Sequence, residues 1–364
     1  MISAAGRLSI LYVSYPLLTV TEDSAGGAEQ VLYAVEHSMA EAGHRTTVAA
    51  SSGSAAAGCL LSTGRPVGAP DDYERRQQEH VEGIFSYLRR DPKRFDLIHD
   101  MSGEFWRHAA ECVVPVLATL HLPRSFYRKE WFCDLPPNLF FNCVSESQAR
   151  TFRDLPNLVG VVSNGIAVER FPVSERKADY VLWLGRICEE KAPHLAVVAA
   201  RRAGAALVLA GQVYPFSYHQ QYFARAIKPL LERGSGLRLI GSPCFAQKLE
   251  LLQNARAVLL TSTVDETSSL VALEAMACGT PVIAFRRGAF SEIVADGVTG
   301  YLVDNVDNMA HAIREANQIS PKACRTWVEQ HFDSRRMARA YEGLYRSLLE
   351  SAVGNFMALP PAST

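Results

Sequence analysis

Asp265-Glu266-Thr267-Ser268-Ser269-Leu270-Val271-Ala272-Leu273-Glu274-Ala275-Met276-Ala277-Cys278-Gly279-Thr280-Pro281 lies between two short aliphatic runs, residues 257–260 and 281–285. The spacing predicts a strand ending near Thr261, a polar loop carrying Glu266, and a helix from about Ser269 to Cys278, stopped by Gly279 and Pro281. Strand, helix and strand in so few residues make the repeating unit of a parallel sheet covered by helices. Outward from this stretch the alternation continues, with strands expected at 180–184, 207–210, 237–240 and 301–303. A separate series precedes it at 8–14, 46–51, 96–101, 115–120, 140–144 and 158–162. The chain is therefore expected to be α/β, with two Rossmann-like, doubly wound domains facing a cleft.

Between the two series stand Ser163-Asn164-Gly165 and Phe171-Pro172, where Asn-Gly supplies a turn and proline blocks a helix. The expected domains are 1–166 and 167–334. Met337, Tyr341, Leu344, Tyr345 and Leu348 recur at helical spacing in a final segment, 335–352, which must pack its apolar face on something. The tail after Gly354 is expected to fray. Residues 53–72, rich in glycine, serine, alanine and proline, read as a long loop, either a mobile surface loop or a lid over an acceptor site.

The 364 residues are 48% hydrophobic and 21% charged with a formal net charge of −1. That balance excludes a disordered chain and offers no global attraction to nucleic acid. Eight cysteines show neither a Cys-x-x-Cys pair nor the His spacing of a zinc site, so they read as reduced, mostly buried thiols. No signal peptide is read in Met1 to Ser9, and no apolar run approaches the roughly 20 residues of a membrane span. A cytoplasmic chain is the expectation.

In open α/β sheets ligands bind beyond the carboxyl ends of the strands, and four clusters fall there. Gly26-Gly27-Ala28-Glu29 opens a helix expected at 28–42, either a close phosphate or acceptor contact or a simple helix start. It is not the Gly-x-Gly-x-x-Gly of a dinucleotide site. Gly185-Arg186-Ile187-Cys188-Glu189-Glu190-Lys191 follows the first strand of the second domain. Its Arg186 and Lys191 either reach one diphosphate together or pair with Glu189 and Glu190 at the surface. Glu266 stands ahead of the helix whose first amides, at Ser268, Ser269 and Leu270, favour an anion. Glu274 lies inside that helix between apolar neighbours, where an unpaired carboxylate would be costly to bury. His121 ends the strand at 115–120 and is either catalytic or structural, as is His99 on another strand.

At these residues the chain resembles the family 4 glycosyltransferases, retaining enzymes of GT-B architecture. The likeness runs in order through Gly26-Gly27-Ala28-Glu29, Gly43-His44, Thr119 to His121, Val144-Ser145, Asn164-Gly165, Gly185-Arg186 with Lys191, Ala210-Gly211, Gly241, and a glutamate, seven residues and a glutamate ahead of Gly279-Thr280-Pro281. The resemblance implies a nucleotide-sugar donor held mainly by the second domain and an acceptor in the first. Glu274 would bind the ribose and Glu266 the transferred sugar. Arg186, Lys191 and the backbone of Ser268, Ser269 and Leu270, beside Gly185, would hold the diphosphate. Gly26 and Gly27 would approach it from the other domain, His121 would contact the sugar, and Cys244 and Phe245 would border the base. The final helix would cross back onto the first domain.

Sugar–diphosphate cleavage needs fixed cations at the leaving phosphate, and Arg186 and Lys191 are available for that. The chain has no Asp-x-Asp motif, so catalysis without a metal or other cofactor is expected. Where family members often have proline, phenylalanine and glycine after the first glutamate, this chain has Thr267, Ser268 and Ser269, which puts the donor sugar in question. The acceptor, a sugar, lipid or small metabolite, is not read from the sequence. Arg124, Arg128 and Lys129 either contact an anionic acceptor or membrane headgroups or are solvated. A nucleotide-sugar epimerase of the same architecture, a phosphorylase and a catalytically silent sugar-binding protein are the competing readings.

Overall fold

In the computed structural model, residues 6–67, 72–232 and 236–357 are described, the last seven of these by their backbone alone. The chain divides into two compact units. One runs to Asn164 and resumes at Ser334, and the other is Gly165–Asp333. The break falls two residues ahead of the expected 166. The reason is local: the Ile166 amide bonds the Phe332 carbonyl at 2.9 Å, and Ile166 bridges Asp333.

The first unit holds a seven-stranded parallel sheet: β1 (Ser9–Val13), β2 (Arg45–Ala50), β3 (Cys59–Ser62), β4 (Leu97–Asp100), β5 (Val116–Leu120), β6 (Leu139–Cys143) and β7 (Leu158–Val161), in the order β3-β2-β1-β4-β5-β6-β7. All five side chains of β5 are buried, as expected of a strand covered on both faces. The helices are α1 (Gly27–Glu41), α2 (Tyr73–Leu88) and α3 (Glu146–Thr151). β3 corrects the expected loop at 53–72. It is an edge strand with mostly exposed side chains, pairing Cys59 with Thr47 and Ser62 with Ala50, so it lacks the apolar signature of the inner strands. Residues 68–71 of that expected loop lie outside the described residues.

The second unit holds β8 (Tyr180–Leu184), β9 (Ala206–Ala210), β10 (Leu237–Ile240), β11 (Ala257–Leu260), β12 (Val282–Phe285) and β13 (Gly300–Val303), all parallel, in the order β10-β9-β8-β11-β12-β13. Its helices are α4 (Pro193–Ala203), α5 (Ser217–Tyr222), α6 (Lys228–Glu232), α7 (Phe245–Asn254), α8 (Leu270–Ala277), α9 (Phe290–Ile293), α10 (Val306–Glu315) and α11 (Pro321–His331). Two apolar layers cover the sheet, one with Leu182, Val258, Leu273 and Met276, the other with Val181, Trp183, Leu259 and Ile313.

The last helix, α12 (Ser334–Met357), belongs to the first unit. Tyr341 and Tyr345 are fully buried, and the Tyr345 hydroxyl lies 2.7 Å from His99 Nδ1 on β4. The opposite ring nitrogen of His99 lies 2.7 Å from Thr119 Oγ1, which donates to Asn142 Oδ1 at 2.7 Å. His99 is thus structural, with both nitrogens bonded. The expectation for the tail after Gly354 falls on residues whose side chains or placement lie outside the description.

Candidate active site

Strand order reverses at β8 in the second unit, where β9 and β10 extend to one side and β11 to β13 to the other. Loops leaving adjacent strands at such a point diverge and open a crevice, the usual ligand position in this sheet type. The loop after β8 carries Gly185, Arg186 and Lys191, and the loop after β11 carries Glu266. These loops meet: Lys191 Nζ lies 2.6 Å from Glu266 Oε1, and the Ser262 hydroxyl donates to the same oxygen. Lys191 remains 36% exposed and the Glu266 side chain 11%, so solvent reaches the pair. Arg186 is exposed and stands 5.8 Å above the Tyr214 ring.

Ser269 is the N-cap of α8, its Oγ accepting the Ala272 amide at 3.3 Å. This fixes the helix start beside Glu266 in sequence, with the amides of Ser269 and Leu270 ahead of the first intrahelical bond. Ser268 and Leu270 are half-buried. Behind the loop stands Gly288, at φ +51, where a Cβ would lie 2.3 Å from the Glu266 carbonyl oxygen. The Glu266 backbone needs that space, and the Ala289 amide bonds the same carbonyl at 2.7 Å.

Glu274 is 3% exposed, and its carboxylate meets Lys248 Nζ of α7 at 2.6 Å. The buried carboxylate anticipated from the apolar helix therefore has a cation. Cys244 is the exposed N-cap of α7. Phe245 packs edge-on to Phe171, with Arg170 4.1 Å above its ring and Lys248 5.5 Å above it. Lys248, Ser262 and Gly288 escaped the sequence reading. Lys248 and Gly288 act across the fold on glutamates far away in the chain, which no periodicity reveals, whereas Ser262 lies one loop turn ahead of Glu266 and meets it only through the fold of that loop.

The first unit has its own reversal at β1, flanked by β2 and β4. After β1, Gly26 is the extended N-cap of α1. A Cβ there would fall 1.9 Å from the Glu29 carboxylate, which is buried and held above the usual carboxylate range by that burial. Gly27 begins the helix. His121 follows β5, half-buried, and burial pushes its imidazole down to about 4. It is therefore a neutral ring at neutral pH. Asp100, at the end of β4, is pushed up to about 6 by burial while accepting from Ser102 and Trp106.

Spacing in the sequence offers no metal ligand set. Cys188, Glu190 and His219 nonetheless lie together, the one such group of three among the described residues. No described helix is long and apolar enough to cross a membrane.

Residues 25–170 match the model described as Glycosyltransferase Family 4, and residues 168–331 the model described as Glycosyl transferases group 1. The chain is a relative of the GT-B glycosyltransferases. Among curated proteins, the lipopolysaccharide 1,2-N-acetylglucosaminetransferase of Salmonella typhimurium is 28% identical over 211 residues, 50% of this chain and 55% of that protein. The chain thus spans about half the length of that curated relative. Among solved structures, sucrose-phosphate synthase from Thermosynechococcus elongatus superposes with a TM-score of 0.77 at 20% identity, covering 95% of this chain and all of that one. HepE from Anabaena in complex with UDP-glucose gives 0.73 at 16% identity, covering 94% and 100%. At these identities the likeness establishes the GT-B fold, two Rossmann-like domains.

Proposed function

We propose that the chain is a retaining glycosyltransferase that moves a sugar from a nucleoside-diphosphate sugar to an acceptor without a metal ion. One observation carries this reading: loops from β8 and β11, at the strand-order reversal, bring a lysine and a glutamate to 2.6 Å beside a helix start. Without donor, Lys191 and Glu266 neutralise each other. An entering diphosphate takes over the Lys191 ammonium, and Arg186 and the first amides of α8 join it. Glu266 is then released to accept hydrogen bonds from hydroxyls of the transferred sugar.

As the sugar–phosphate bond breaks, negative charge grows on the leaving phosphate, and cations already in place stabilise it most. Glu274, oriented by Lys248, accepts from the ribose hydroxyls, and Cys244 and Phe245 border the base. In the first unit Gly26 and Gly27 approach the phosphates, and the neutral His121 contacts the sugar near its reacting carbon. Retention follows from attack on the face the phosphate leaves, with the leaving oxygen taking the acceptor's proton. The first unit holds the acceptor, a sugar, lipid or small metabolite.

The test incubates the protein with uridine, guanosine, thymidine and adenosine diphosphate sugars, screened first by thermal shift, since a ligand bound only by the folded state raises its apparent stability. The expected result is nucleoside diphosphate release that needs an acceptor and disappears in Glu266→Ala with the fold intact. An isomerised donor with no diphosphate released overturns transfer in favour of epimerisation. Activity unchanged in Glu266→Ala overturns the site.

A further inference from the structure

The loop after β8 carries Cys188 and Glu190, and α5, beyond the loop after β9, carries His219. A thiol sulfur, a carboxylate oxygen and an imidazole nitrogen from these residues all lie within 4.8 Å of one another. His219 is fully buried, yet neither of its ring nitrogens has a hydrogen-bond partner, and buried Glu190 Oε2 has none either. Leaving such atoms dry and unpaired is unfavourable, and a cation would satisfy the Glu190 oxygen and one of the two His219 nitrogens together. The rings of Tyr214, Phe216 and Tyr218 lie around His219 at 6.2, 5.5 and 4.2 Å, so the imidazole is fixed in place.

We propose that Cys188, Glu190 and His219 bind one zinc-class divalent ion, as thiolate, carboxylate and neutral imidazole, with a fourth position open to water. Mixed sulfur, nitrogen and oxygen donors suit a borderline-soft ion such as Zn²⁺ and disfavour Mg²⁺ or Ca²⁺. Zinc–ligand bonds of about 2.0–2.3 Å place tetrahedral ligands roughly 3.3–3.8 Å apart. Side-chain rotation by about 1 Å closes the observed group to that size.

Arg186 is the cation facing the cluster, and it acts electrostatically on all three members. A thiolate and a carboxylate cancel the charge of the ion, so binding adds no net positive charge beside that guanidinium. Burial and Arg186 both oppose protonation of His219, which leaves a nitrogen lone pair available. The ion would tie the loop bearing Arg186 and Lys191 to α5. This inference stands apart from sugar transfer: the ion holds a loop and touches no sugar.

The test uses the full chain, stripped by a chelator and titrated with Co²⁺ and then Zn²⁺. The expected result is one Co²⁺ per chain with a thiolate-to-cobalt charge-transfer band, displaced by Zn²⁺, and a melting temperature raised by Zn²⁺. Cys188→Ser abolishes the band. His219→Gln weakens Zn²⁺ binding by at least the roughly tenfold to hundredfold that even an outer-sphere partner is worth, and neither variant melts higher with zinc. Circular dichroism of the metal-free variants controls for folding, and Glu190→Gln, at a partly exposed position, repeats the affinity comparison. Absence of stoichiometric binding overturns the proposal. So does binding that survives all three substitutions and disappears when the exposed Cys59, Cys133 and Cys244 are replaced.

Discussion

The two sheets reverse their strand order at equivalent places, but the polar residues near the two reversals are organised differently. In the first unit His99, Thr119, Asn142, Tyr341 and Tyr345 form a buried network in which both nitrogens of His99 are bonded. In the second unit the polar groups pair as charges, Lys191 with Glu266 and Lys248 with Glu274, and one of those pairs is open to water. A neutral network sealed under a helix holds a fold together. A pair whose ammonium is open to solvent can exchange one partner for a ligand without unpacking the fold.

Breaking the open pair tests this contrast most strongly. Lys191→Ala is expected to lower kcat by about 10²–10³-fold, the scale for removing one group that stabilises developing charge, while the unfolding midpoint stays within experimental error. A comparable loss of stability would place the pair with the structural network instead. The inner pair sits between the extremes. Glu274→Ala strands a largely buried ammonium on Lys248 and is expected to cost about 3 kcal/mol in urea unfolding, the lower end for a broken buried pair, along with weaker donor binding. A Lys248→Met, Glu274→Met double variant that recovers stability but not donor affinity would separate the two roles.

Acid should act on the buried histidines, three of which lie in the first unit. Burial lowers His80 to about 4, His99 to about 3 and His121 to about 4 from 6.5. Each ring is neutral when folded and takes a proton on unfolding below 6.5. The stability they contribute is therefore complete above pH 6.5 and is lost as pH falls towards 4, by about 1.4 kcal/mol per pH unit and ring. Asp100, raised from 3.8 to about 6, and Glu29, also raised by burial, work in the opposite direction and offset part of this loss. Urea midpoints at pH 7 and pH 5 measure the difference, and equal values would contradict it. The smallest effect is expected from Tyr345→Phe, which removes the hydroxyl bonded to His99. A loss of about 1–2 kcal/mol with donor affinity unchanged would mark the network as purely structural.

Much of this was legible in the chain. The inner strands show as apolar runs because both their faces are buried, and α8 shows through Ser269, Gly279 and Pro281. The edge strand β3 did not show, because Cys59, Leu60 and Ser62 face solvent and sit in a stretch whose composition suits a loop. Glu274 could be singled out as a buried carboxylate needing a partner, yet Lys248 could not be named, because only folding brings α7 beside α8. The same limit hid the grouping of Cys188 and Glu190 with His219, some thirty residues downstream. Conversely, the sequence left His99 and His121 as equals, and it was the hydrogen bonds of His99 that separated them.

That α12 belongs to the first unit has a consequence for biosynthesis. During translation, β1 to β7 emerge before any of the second unit, but Thr119, Asn142 and His99 must wait for Tyr341 and Tyr345. The nascent amino-terminal half thus stays incomplete on the ribosome until the whole intervening domain has been made.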